Sequence, residues 1–256
     1  MVGRAPAVLS QPRVVAGAAV LVALLVYYRV VGSLPEIPTW ADVVFTAVVL
    51  TPAVFLLVLL ALPLMRARGL LPIGLATALL AYVLVEADFD VLANFTKLAA
   101  VTLLAFWFLD FFEELSWVVI VACVIPVVDA FSVWRGPTRH IVEERPEVFG
   151  ALSFAFPVPG EGAFQLGLPD LLFFAIFLGA ASRWGLRVLA TWVCLVASFG
   201  LTMALAIYVD PFGIGGVPAL PLLCIAFLAP NADLIWRRLR DERRRRDGEP
   251  DVEPSK

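Results

Sequence analysis

Histidine and lysine are almost missing from this chain: His140 is the single histidine, and Lys97 and Lys256 stand against seventeen arginines. One histidine argues against a metal centre built on imidazoles. Cysteine is scarce as well. Cys123, Cys194 and Cys224 all lie inside apolar runs, which leaves neither a disulfide framework nor zinc-ligand spacing. Charge is the deepest shortage. Asp, Glu, Lys and Arg make up 16% of the 256 residues, against about 25% in soluble domains. Hydrophobic residues fill 61%, where about 45–50% is usual, and the mean hydropathy is +0.93. So little polar surface cannot coat a water-soluble globule. Soluble enzymes, disordered proteins and nucleic-acid binders are excluded, and an all-α polytopic membrane protein is expected.

Apolar runs near the span length of about 20 residues recur along the chain. Eight are expected: Val14 to Val31, Trp40 to Met65, Leu70 to Val85, Val91 to Leu109, Leu115 to Val133, Leu166 to Ser182, Leu186 to Val209, and Gly216 to Trp236. The first ends in Tyr27, Tyr28 and Arg29 rather than a small-residue cleavage site, so it reads as a retained span. Residues 1–236 form a single transmembrane domain on this reading, and 237–256 a basic soluble tail. An even number of spans puts both termini on one side. Arg237, Arg238, Arg240 and Arg243 to Arg246 then place the C-terminus in the cytoplasm, in a multi-pass protein of the lipid bilayer.

Ionisable side chains inside spans cost about 2.5–3.5 kcal/mol each at a helix centre on insertion scales, which makes them functional candidates. Two stand out. Asp129 lies five residues before Trp134, and Asp170 five after Gln165. With a rise of about 1.5 Å per residue, both sit roughly 7 Å below one membrane face, because consecutive spans are antiparallel. Matching depth is what two cooperating carboxylates require. Two unrelated aspartates reaching out to water from their helix ends would look the same.

The neighbouring residues carry more. Asp129 opens a segment that contains the run Gly136 to Glu143, with the pattern Gly-Pro-x-Arg-x-x-Val-Glu. Asp170 closes Gly167-Leu168-Pro169-Asp170, and the last span opens with Pro218-Ala219-Leu220-Pro221. In this order the motifs resemble those of the presenilin and signal peptide peptidase family of intramembrane aspartyl proteases, over about Trp117 to Trp236 and closest to a prokaryotic presenilin-like member. The resemblance implies a presenilin-like fold with Asp129 and Asp170 as the catalytic pair. It also implies that Gly167, Leu168, Pro169, Pro218, Ala219 and Leu220 hold the substrate. The substrates it implies are transmembrane segments or signal-peptide remnants, hydrolysed with no cofactor and no metal.

The chain departs from the family pattern at two positions. Val128 stands where a tyrosine precedes the first aspartate, and Pro169 where the second motif has its second glycine. Proline fixes φ and removes a donor, so the approach to Asp170 is expected to be stiff. A catalytically inactive member that binds membrane helices, or a proton- or cation-coupled transporter, would also use buried aspartates. A transporter usually shows repeated halves, and none is apparent. Trp107, Trp117, Trp134 and Trp184 read as an interfacial belt. Asn94 and Lys97 read as helix-end residues, His140, Glu143 and Glu144 as an exposed loop, and Gly213, Gly215 and Gly216 as a hinge.

Overall fold

A computed structural model describes residues 11–135, 150–160, 162–209 and 217–246. The helices are α1 (Gln11–Val30), α2 (Thr39–Arg66), α3 (Leu70–Glu86), α4 (Asp90–Phe108), α5 (Leu115–Arg135), α6 (Leu168–Arg183), α7 (Val188–Tyr208), α8 (Leu220–Leu228) and α9 (Ala232–Arg246). Every one of the expected apolar segments carries a helix. Among the described residues, five stretches are long and apolar enough to cross a membrane: Gln11–Ser33, Thr39–Arg66, Asp90–Phe111, Val188–Tyr208 and Leu220–Arg243. α3 and the apolar part of α5, Leu115–Asp129, are shorter. The outside of the bundle is itself apolar, with Val15, Val48, Leu79, Leu189 and Val127 at 65–70% exposure. Such a surface belongs against lipid rather than water.

Helix α2 is not uniform. A π-helical turn at Thr46–Leu50 separates its α-helical parts, Thr39–Phe45 and Thr51–Ala61. Pro52 explains the break, because it has no N–H for the carbonyl of Val48 and its ring crowds that oxygen. Pro126 in α5 similarly leaves the Ala122 carbonyl without its helical donor, one turn before Asp129.

Helix α6 is the centre of the bundle. Leu171 and every residue from Phe174 to Ala181 are buried, so the helix is apolar all round, as a core helix must be. Phe174 stacks on Phe55 of α2 and Phe199 of α7, with ring centroids 4.0 and 5.8 Å away. Phe177 stacks on Phe227 of α8 at 4.8 Å. These rings set the position of the helix whose first turn holds Asp170.

The structure corrects the all-α expectation in one place. Ser153–Pro157 (β1) and Ala163–Gly167 (β2) form an antiparallel hairpin, with Ser153 opposite Gly167 and Pro157 opposite Ala163. The alternation in Ser-Phe-Ala-Phe, with Phe154 and Phe156 buried, and the positive φ of Gly160 at the turn are strand and turn signals. Leu166 and Gly167, expected at the start of a span, are therefore strand residues, and the helix begins at Leu168. At the other end of the chain, α9 continues as helix past Trp236 through Arg246.

Close packing of α2 against α7 depends on Gly200. A Cβ there would lie 2.8 Å from the Cβ of Ala47, closer than two carbons approach. Gly200→Val is expected to lower stability by about 1–3 kcal/mol through overpacking, read as a drop in thermal midpoint of the detergent-solubilised protein.

Candidate functional site

The hairpin is held by side chains from two helices. The ladder register and its flanking bonds, Val158 N–H to Gly162 O and Leu168 N–H to Leu152 O, set its parity. Phe154 and Phe156 bond to β2, while Ser153, Ala155 and Pro157 turn their main-chain groups outward. Each of these outward positions is met. Asn94 of α4 donates to Ala155 O at 2.8 Å and accepts from Ala155 N–H at 3.0 Å, as a neighbouring strand would. Tyr28 adds a bond to Ala155 O at 2.8 Å, and Tyr27 one to Pro157 O at 3.0 Å. Lys97 donates to Ser153 O at 2.6 Å and Gly150 O at 3.2 Å. Pro157 has no N–H to leave unpaired. Asn94 and Lys97, expected as helix-end residues, are thus hairpin anchors on one face of α4, three residues apart.

The outer edge of β2 is different. Ala163 and Gln165 are exposed and their main-chain groups find no partner among the described residues. Gly167, the third outward position, lies beside the Asp170 carboxylate. Among the described residues, an open strand edge therefore ends beside an aspartate.

Local sequence explains how Asp170 is held. It is the third residue of α6, and Gly167 is the N-cap, with extended φ, ψ of −60° and 142°. An acidic side chain at that position suits the first helical turn, where the helix dipole favours negative charge. Pro169 falls in the first helical turn, where no intrahelical donor is required. A Cβ on Gly167 would lie 3.2 Å from Asp170 Oδ2, so the glycine leaves the carboxylate its room.

Asp129, on α5, is half-buried and accepts the Leu220 N–H at 3.2 Å through Oδ2. That N–H belongs to the first residue of α8 and has no intrahelical partner. Both carboxylates are therefore met at the N-terminal turn of a helix, where the helix dipole favours negative charge. Helix α8 packs against both α5 and α6, the helices that carry Asp129 and Asp170. Pro218, Ala219 and Leu220 are buried, Pro221 less so, and Leu168 and Pro169 frame Asp170. Of the expected site residues, Leu220 at the start of α8 meets Asp129, and Gly167, Leu168 and Pro169 lead directly into Asp170 at the β2–α6 junction.

Val128, where the family pattern has tyrosine, is 60% exposed. Cys123 of α5 and Cys224 of α8 are free thiols on the same seam as Asp129. Among the described residues, no three His, Cys, Asp or Glu side chains group so as to hold a metal ion. The run Gly136 to Glu143, with His140, and also Glu144, Gly213, Gly215, Gly216 and the side chain of Trp134, lie outside the described residues.

Sequence reasoning missed Tyr27, Tyr28, Asn94 and Lys97 as parts of this assembly. Their signal was two polar residues on one helix face and paired tyrosines closing the first span. The chain matches no protein-family model and no curated protein.

Removing the strand-like amide isolates a buried N–H. Asn94→Leu is expected to cost about 1–3 kcal/mol, the penalty of an orphaned buried donor, with earlier proteolysis near residues 150–167. An unchanged unfolding midpoint and cleavage pattern would show that Asn94 does not hold the hairpin.

Proposed function

We propose that this chain is an intramembrane aspartyl protease of the presenilin and signal peptide peptidase type. The observation that carries the reading is the placement of Asp170 in the first turn of α6, directly after β2, and of Asp129 against the first residue of α8, which packs on α6. The motif order along the chain supports it, as do the helices long and apolar enough to span a membrane. In the proposed topology the hairpin end faces away from the cytoplasm and the arginine-rich end faces it, which agrees with the positive-inside rule.

Two adjacent carboxylates do not both ionise, so the pair holds one proton between them. The ionised member takes a proton from water, which attacks the scissile carbonyl carbon. The protonated member donates to the carbonyl oxygen and the leaving amide nitrogen is protonated in turn as the C–N bond breaks. The two titrate as a unit, so base and acid roles belong to the pair.

A helical substrate hides its carbonyls in its own hydrogen bonds, and must unwind before water can attack. The N–H and C=O of Gln165, without partners among the described residues, offer replacement partners for an unwound segment, by strand addition. With β1 sealed on its outer side, β2 is the edge left for such a strand. In an apolar medium this exchange matters, because an unwound chain without partners is costly.

Cleavage of a tagged single-span substrate in reconstituted lipid tests the proposal. Wild type is expected to cut, and Asp129→Ala and Asp170→Ala to fall to background. Turnover surviving in Asp170→Asn would overturn the aspartyl mechanism. No cleavage by folded wild type would favour the helix-binding, non-cutting alternative.

The junction before α6 gives a finer expectation. Gly167→Ala pushes a methyl toward Asp170 Oδ2 and should slow turnover about tenfold or more, equivalent to roughly 1.4 kcal/mol in the barrier. Pro169→Gly should leave turnover equal or faster, because the first helical turn does not use that N–H. Both are read as single-turnover rates beside wild type.

A further inference from the structure

We propose that the outward face of α9, formed by Trp236, Arg237 and Arg240, is a binding site for anionic phospholipid headgroups. The inference stands apart from the protease reading, since it uses neither aspartate. Helix α9 has two unlike faces. Ile235 is buried, and Leu239 packs against the core. Glu242, on the same side, accepts the N–H groups of Leu115 and Ser116 at 3.1 and 3.4 Å. The other side presents Trp236, 71% exposed, with Arg237 and Arg240 at helical spacing beside it.

Three acidic groups of this end are engaged elsewhere, while Asp241, one turn after Arg237, is exposed. Asp233 takes both guanidinium nitrogens of Arg187, at 2.6 and 2.9 Å. Glu242 caps α5, and Asp110 pairs with Arg183 at 3.4 Å. Arg238 leans toward the turn between α6 and α7, 3.5 Å from the place a Gly185 Cβ would take. Arg237 and Arg240 have no ion pair among the described residues. Two exposed guanidinium groups beside an exposed indole therefore sit at the C-terminal end of the span-length stretch Leu220–Arg243.

Phosphodiester headgroups match this chemistry. A guanidinium forms paired N–H bonds to phosphate oxygens, and tryptophan favours the boundary between hydrocarbon and headgroups. Basic residues just beyond a membrane-spanning helix meet the negative lipid surface at about 1 kcal/mol each. A bound headgroup would also steady α5, because Glu242 ties α9 to the first N–H groups of the helix that carries Asp129.

The full chain is reconstituted in phosphatidylcholine vesicles with and without phosphatidylglycerol, and its unfolding midpoint measured in each. Phosphatidylglycerol is expected to raise the midpoint of wild type, and molar salt to shrink the rise, since exposed charge pairs are screened. Arg237→Gln/Arg240→Gln should match wild type in phosphatidylcholine alone and lose more than half of the rise. Arg66→Gln/Arg68→Gln, which removes equal charge from exposed positions elsewhere, should keep most of it. A rise absent from wild type, equally lost in both double variants, or untouched by salt would overturn the site. Should the α9 variant fail to fold, the wild-type salt response decides alone.

Discussion

A peptide group away from water must find a hydrogen-bond partner inside the protein, and this requirement shapes the region around the two aspartates. Helices meet it on their own; a two-stranded hairpin cannot, because it has two edges. Here one edge is closed by side chains. Asn94 stands in for a third strand at Ala155, Tyr27 and Tyr28 cover the neighbouring carbonyls, and Lys97 takes Ser153 O and Gly150 O. Among the described residues, the other edge stays open at Ala163 and Gln165. In the proposed protease this asymmetry separates scaffold from substrate: one strand is fixed by the bundle, and the other offers its edge.

The same need for partners organises the aspartates. Helix starts carry N–H groups with no helical acceptor, and two such starts, those of α6 and α8, meet the carboxylates. Asp170 lies in the first turn of its own helix, and Asp129 accepts from a helix far away in sequence. Pro169 and Pro221 lie in the first turns of these helices, where their missing N–H groups cost nothing. The aromatic stack of Phe55, Phe174 and Phe199 holds α6 behind the site. Position along the helix axis is thus set by packing, and orientation of the carboxylates by the caps.

The opposite end of the bundle uses a second set of polar links. Asn231, fully buried, accepts from Arg187 N–H and donates to Thr191 Oγ1 and Phe227 O, which ties α7 to the break between α8 and α9. Arg183 reaches Leu109 O at 2.7 Å, joining α6 to the end of α4. Glu242 adds α5. Helices that bear the aspartates at one end are therefore fastened at the other by side-chain bonds to main-chain groups rather than by surface ion pairs, which contribute little.

Much was legible in the residues themselves. Hydrophobic runs marked every helix but the arginine-rich α9, because in an apolar medium a helix needs only length and hydrophobicity. Asp129 and Asp170 stood out because charge is expensive there, and their equal depth followed from counting residues along antiparallel neighbours. The Pro and Gly positions marked the starts of α6 and α8. The hairpin was not legible: five-residue strands of mixed polarity in a Pro- and Gly-rich segment carry a weak local pattern. Nor was the role of Asn94, Lys97, Tyr27 and Tyr28, whose partners lie 53 to 130 residues away in sequence. Composition and periodicity, being local, determined which segments are helices and which residues are unusual. Only the packing of α1 and α4 against the hairpin decided which strand edge is closed, because a hydrogen bond between distant residues leaves no trace in the spacing of either.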